Sequence, residues 1–142
     1  MTRAQVSVDG LAIGEIGRGL VILLGVGPDD DEPVLAKLAR QVVELRIFAD
    51  DSGRTNRSLL DVGGEVLLVS QFTLFADTTR GRRPGFTGAA APDLAERLYE
   101  AFGAAIRELG PRVAQGRFGA EMAVELVNDG PFTIWLDSAE GS

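Results

Sequence analysis

The chain has 142 residues and a formal net charge of −7, with 14 Lys and Arg against 21 Asp and Glu, and it contains neither cysteine nor histidine. Those two absent residue types exclude disulfides, thiolate nucleophiles, zinc–cysteine sites, Ser-His-Asp triads and Cys-His dyads. Any catalysis must use carboxylates, hydroxyls, amides, Lys37, arginines, backbone dipoles or the substrate's own groups. The length suits one domain, and the longest apolar run, LVILLGV at 20–26, is far below the roughly 20 residues that span a bilayer. No basic segment leads into an apolar one at the start. A cytoplasmic protein without a membrane or DNA partner is therefore expected. Its acidic balance argues against wrapping long duplex nucleic acid but leaves the grip of one RNA end open.

In chain order, AQVSVDG alternates apolar and polar residues and turns at Asp9-Gly10, and AIGEIGRGLVILLGV runs into a strand apolar enough to be buried on both faces. PDDDEPVLAKLARQVVELRIF predicts a helix: aspartates precede Pro33, and Val34, Leu38, Val42 and Leu45 share one face. ADDSGRTNRS reads as a polar connection. GGEVLLVSQFTLF predicts a second buried strand, and TTRGRRPGFTGAAA a loop punctuated by glycine and proline. PDLAERLYEAFGAAIRELG predicts a second helix, opened by Pro92-Asp93 and closed by Gly110, with Leu94, Leu98, Phe102 and Ile106 facing inward. AEMAVELV and FTIWL read as a closing hairpin that places Val127, Ile134 and Leu136 in the core. The expected fold is a single α/β domain over residues 1–142. Mixed β-sheet layers, a β/β/α sandwich or an open barrel-like arrangement, carry two helices packed on one side.

Three stretches each admit two readings. Ser70 and Gln71 interrupt an apolar strand; they either end it by bonding nearby backbone or face a cleft, because burying them unpartnered costs about 1–3 kcal/mol each. Pro131, after Asn128-Asp129-Gly130, marks an edge strand or else a cis bond that aims two rigid carbonyls where an ordinary turn cannot. Arg80, Arg82 and Arg83 form a solvated loop or a phosphate contact. Asp29-Asp30-Asp31 fits a helix dipole better than a metal, and the GVG at 25–27 has too few glycines for a nucleotide loop.

Taken together, VSQFTLFAD, GRRP with a following Phe, the proline-opened helix, GRFGAEM and LVNDGPFTIWL closely resemble the D-aminoacyl-tRNA deacylase family over nearly the whole chain, with SQFTL at 70–74 and NDGPFT at 128–133 as the specific motifs. The resemblance implies hydrolysis of the ester of D-aminoacyl-tRNA, and of glycyl-tRNA mischarged on tRNA(Ala), without cofactor or metal. It implies catalytic positions at Ser70, Gln71 and Thr73. Substrate contacts are implied at Phe72, Leu74, Asn128, Gly130, Pro131 and Thr133, and RNA phosphate contacts at Arg80, Arg82 and Arg83. It further implies a homodimer with active sites at the interface, where Gly130-Pro131 of one subunit, joined by a cis bond, reaches the partner's site and rejects L-residues. An additional strand ahead of TRAQVSVDG, carrying an arginine against this corner, belongs to the family pattern, and Gly85 stands where serine is usual. From a different class, a non-catalytic dimeric module binding an RNA 3′ end or an aminoacyl ligand fits the same residues.

Overall fold

Asp9 and Gly10 take left-handed backbone conformations, with φ of 52° and 79°, and close the two-residue hairpin between β1 (Arg3–Val8) and β2 (Leu11–Ile16). Both central residues of such a turn need positive φ if its twist is to match the strands. In the computed structural model, which describes residues 1–140, β8 (Ala123–Val127) pairs with the other edge of β1, giving an antiparallel sheet of order β2-β1-β8. A second sheet, all parallel, has the order β3 (Gly19–Leu24), β6 (Glu65–Ser70), β7 (Val113–Gln115). Parallel neighbours require long crossovers. Helices α1 (Glu32–Glu44) and α3 (Pro92–Glu108) lie within the two crossovers.

The two sheets and the helices form the expected β/β/α layers, and β6 is common to both cores. Its Val66 and Leu68 pack into the cluster that holds Leu35, Ala39, Val42 and Val43 of α1 and Leu98, Phe102 and Ile106 of α3. Its Leu67 and Val69 pack with Ala4, Val6 and Ile16 of the antiparallel sheet. The two-residue period of a strand sends alternate side chains to opposite faces, so one uninterrupted apolar run serves two cores. Tyr99 of α3 is buried as well, and its hydroxyl donates to the Leu68 carbonyl at 2.8 Å, which satisfies the one polar atom this side chain brings inside.

Four sequence expectations are corrected. ADDSGRTNRS is not a plain connection: it contributes to the short antiparallel pair β4 (Phe48–Ala49) and β5 (Thr55–Arg57), which leads into a third helix, α2 (Leu59–Val62). A reciprocal capping box forms that short helix, Ser58 Oγ accepting from Asp61 N–H and Asp61 Oδ2 from Ser58 N–H, with Gly63 left-handed at its end. On α1 the buried face is Leu35, Ala39, Val42 and Val43, rotated from the predicted one, because both sets satisfy helical spacing. On α3, Tyr99 joins the buried face and Leu94 is only half-buried. FTIWL forms no strand: β8 pairs with β1, residues 131–137 lack regular structure, Val127 and Ile134 are exposed, and only Leu136 packs partly against the core. A strand persists only beside another backbone edge, and Pro131 brings no N–H to one.

At Gly19 the backbone of β3 passes close against its ladder partner Glu65 of β6. A Cβ built there lies 1.8 Å from the Glu65 carbonyl oxygen, a contact with backbone that no rotamer relieves. Gly19→Ala is therefore expected to lose more than about 3 kcal/mol of stability in denaturant unfolding. At Gly85, by contrast, an added Cβ meets nothing within 4 Å, so Gly85→Ser should stay within about 0.5 kcal/mol of the parent.

Candidate functional site

The parallel ladder continues one step past β6, where Gln71 N–H donates to the Leu24 carbonyl at 2.8 Å, and the chain then tightens into a 3₁₀ turn over Phe72–Phe75. Among the described residues no side chain caps this turn. Its first N–H groups, those of Phe72 and Thr73, have no intrahelical acceptor and remain as donors at the mouth of the strand. Within the turn Gln71 Nε2 donates to Thr73 Oγ1. The Thr73 hydroxyl thus accepts from a neutral amide, which does not draw off its proton. Glycines 25 and 27, too few for a nucleotide loop, have a structural purpose. Cβ atoms on them would lie 3.0 Å and 3.2 Å from the Phe75 ring, so they make room for the turn. Alternating glycines at the end of a buried strand were the signal for that close approach.

Phe72 is 56 % exposed, yet its ring stands edge-on to Phe86 with centroids 5.1 Å apart. That contact ties the arginine loop to the turn. At the base of the loop Asp77 and Gly85 exchange backbone hydrogen bonds of 2.7 Å and 2.9 Å. Asp77 Oδ1 accepts from the hydroxyl and the N–H of Thr79, and these bonds hold its carboxyl below the usual aspartate value of 3.8. A lowered carboxyl favours the folded loop above that range and loses the effect as pH falls through it. Arg80, Arg82 and Arg83 are exposed on the excursion between Asp77 and Gly85, and none forms a salt bridge among the described residues.

At the end of β8 the chain enters the second motif. The Gly130–Pro131 bond is cis, and Gly130 has φ of 126°, a region that favours glycine. Asn128 spans the corner: its Oδ1 accepts from Phe132 N–H and its Nδ2 donates to Thr133 Oγ1, both at 3.1 Å. The Asp129 carboxyl is held low, first by the Thr2 side chain and then by its own backbone N–H.

A cleft of about 980 Å³ separates the β3 edge and α1 from residues 132–139. Leu74, Asn128, Gly130 and Thr133 lie on its wall, while Ser70, Gln71, Phe72, Thr73 and Pro131 do not. Within one chain the turn and the corner make no hydrogen bond to each other among the described residues. Large apolar side chains surround both: Phe72, Leu74 and Phe86 beside the turn, and Phe132, Ile134 and Trp135 beyond the corner, the last 62 % exposed. Among the described residues no group of three or more Asp or Glu is arranged to hold a metal, and no helix is long and apolar enough to cross a membrane. The site thus offers backbone donors, hydroxyls and amides, without a placed strong base. Sequence reasoning missed the Phe75 seat and the inward direction of the Asn128 amide, which spacing alone does not reveal.

A family model described as D-Tyr-tRNA(Tyr) deacylase matches residues 1–137. The D-aminoacyl-tRNA deacylase of Roseiflexus castenholzii is 61% identical over 98% of this chain and 88% of its own, and that of Deinococcus radiodurans is 56% identical over 96% and 94%. Among solved structures, a protein named c-Myc DNA Unwinding Element Binding Protein superposes with a TM-score of 0.90 and 40% identity, covering 96% of this chain and 93% of its own. With the SQFT turn, the Gly130–Pro131 corner and matches of this extent, the chain belongs to the D-Tyr-tRNA(Tyr) deacylase family.

Proposed function

We propose that the chain hydrolyses the ester of D-aminoacyl-tRNA, releasing the free D-amino acid and the tRNA with its terminal hydroxyl restored. Family membership over residues 1–137, with relatives of this name at 56% identity and above, carries the reading. An aminoacyl ester is already activated, so hydrolysis needs a positioned water and donors for the developing oxyanion more than it needs a strong base. The free N–H groups of Phe72 and Thr73 are suited to the oxyanion, and Ser70, Gln71 and Thr73 to orienting the substrate. The neighbouring ribose 2′-hydroxyl then assists the water. In this reading the carbonyls of Gly130 and Pro131 hold the amino group and occupy the space an L side chain would need, so selectivity comes from exclusion by fixed backbone. Glycine, with no side chain, passes, and glycyl-tRNA mischarged on tRNA(Ala) becomes a second substrate.

Within one chain the corner makes no hydrogen bond to the turn among the described residues, which supports the corner acting in the site of a second copy. The large apolar side chains left exposed around both motifs support that arrangement too, since an interface would cover them. The arginines beside the turn, which form no salt bridge among the described residues, are suited to the phosphates of the tRNA 3′ end, which a chain of charge −7 otherwise repels.

Chirality tests the reading most simply. D-tyrosyl-tRNA should be deacylated at least about a hundredfold faster than the L-form. Equal rates contradict the reading, and binding without turnover favours a non-catalytic aminoacyl module.

Thr73→Ala should keep activity within about tenfold of the parent, where loss of a catalytic nucleophile costs on the order of 10⁶. Activity should also persist in chelator. A trapped acyl-threonine would show that Thr73 does more than line the site.

Replacing Arg80, Arg82 and Arg83 together with Gln should weaken tRNA binding and flatten its dependence on salt. Equal affinity of variant and parent across a salt series would return the loop to solvent.

A further inference from the structure

Asn128 is half-buried between exposed neighbours at the point where β8 ends. Its amide closes the corner against the end of the strand. Phe132 N–H can only donate, so the atom facing it at 3.1 Å is fixed as Oδ1; Nδ2 is left facing Thr133, whose hydroxyl must accept. Those two bonds enclose Asp129, Gly130 and Pro131. Residues 131–137 form no ladder with β8, so the side chain supplies the closure that a hairpin rung would otherwise give. Both polar functions of Asn128 therefore point inward at the corner.

We propose, resting on the deacylase reading, that Asn128 is a positioning residue: its amide holds Phe132 and Thr133 against the end of β8 and so fixes the direction of the Gly130 and Pro131 carbonyls. The resemblance to the family implied a substrate contact at this position; the hydrogen bonds assign it to the corner instead. Aspartate can fill the same role, one carboxylate oxygen accepting from Phe132 N–H and the other from the Thr133 hydroxyl. Alanine can fill neither. The partners are exposed, so water replaces the lost bonds and the effect falls on the direction of the corner rather than on folding.

The test compares the full chain with Asn128→Ala, Asn128→Asp and Thr133→Val, measuring kcat and KM on D- and L-tyrosyl-tRNA, melting temperature, and hydrogen exchange at the Phe132 amide. Asn128→Ala should stay folded and lose about 10- to 100-fold in kcat on the D-substrate or in the ratio of D to L rates, as a displaced group does, with KM nearly unchanged. Asn128→Asp should restore most of the loss, and Thr133→Val should fall between. Phe132 exchange should quicken at least about tenfold in Asn128→Ala and recover in Asn128→Asp. An unchanged kcat and rate ratio in Asn128→Ala, or an aspartate variant as impaired as the alanine one, overturns the assignment. If the parent itself does not discriminate, the deacylase reading fails separately. Phe132 exchange then decides the brace: a difference between parent and Asn128→Ala upholds it, and equal rates remove it.

Discussion

The burial of β6 on both faces is the constraint on which the rest of the molecule depends. Val66, Leu67, Leu68 and Val69 are all inside, two toward the helices and two toward the antiparallel sheet. At about 1.5–3 kcal/mol for each side chain fully buried, the four contribute on the order of a domain's net stability. That burial fixes the position of the strand, and the strand fixes the turn. β3 must approach closely enough to require Gly19, α3 must present Tyr99 to the Leu68 carbonyl, and the chain must leave the core at Ser70. The turn beyond Ser70 is held by three neighbours: Leu24 through the last ladder bond, glycines 25 and 27 through the room they leave for Phe75, and Phe86 through its ring.

Much of this was legible in the sequence because the physics is local. Asp9-Gly10 specifies its hairpin, continuous apolar runs specify strands covered on both sides, and Pro92 opens its helix. The layer order comes from helices placed after buried strands. The features that were not legible depend on neighbours distant in sequence. Whether 131–137 becomes a strand depends on pairing with another backbone edge: β8 keeps a free edge in the order β2-β1-β8, yet the segment beyond Gly130–Pro131 pairs with no strand among the described residues. Which of two equally spaced faces of α1 is buried depends on how the helix rolls against α3 and β6. The Ser58–Asp61 box could have been read from its four-residue pattern, and the polar character of the surrounding loop hid it. At the site, the motif positions were readable by resemblance, but the direction of the Asn128 amide and the bond from Gln71 to Thr73 are properties of the folded backbone.

The residue types that the chain lacks shape its chemistry. Without histidine or cysteine, and with Thr73 accepting from a neutral amide, the site suits a reaction in which the substrate ester supplies the reactivity and the protein supplies geometry. Rigid backbone recognises handedness well, because a main-chain carbonyl cannot rotate away as a side chain can. It also requires support, and here the turn is supported by the core of its own chain while the corner is closed by the Asn128 side chain at the end of an edge strand.

The central proposal is that a working site joins the turn of one chain to the corner of another, and subunit mixing tests it most directly. Gln71→Ala damages the turn and Gly130→Ala the corner. Once each is shown to be strongly impaired alone, the two are co-expressed and assayed on D-tyrosyl-tRNA. A site shared across a symmetric dimer leaves one intact turn–corner pair in every mixed dimer, so activity should recover to about a quarter of the parent level. No recovery above the separate variants, with mixed dimers shown to be present, would mean that each chain builds its site alone and would contradict the proposal.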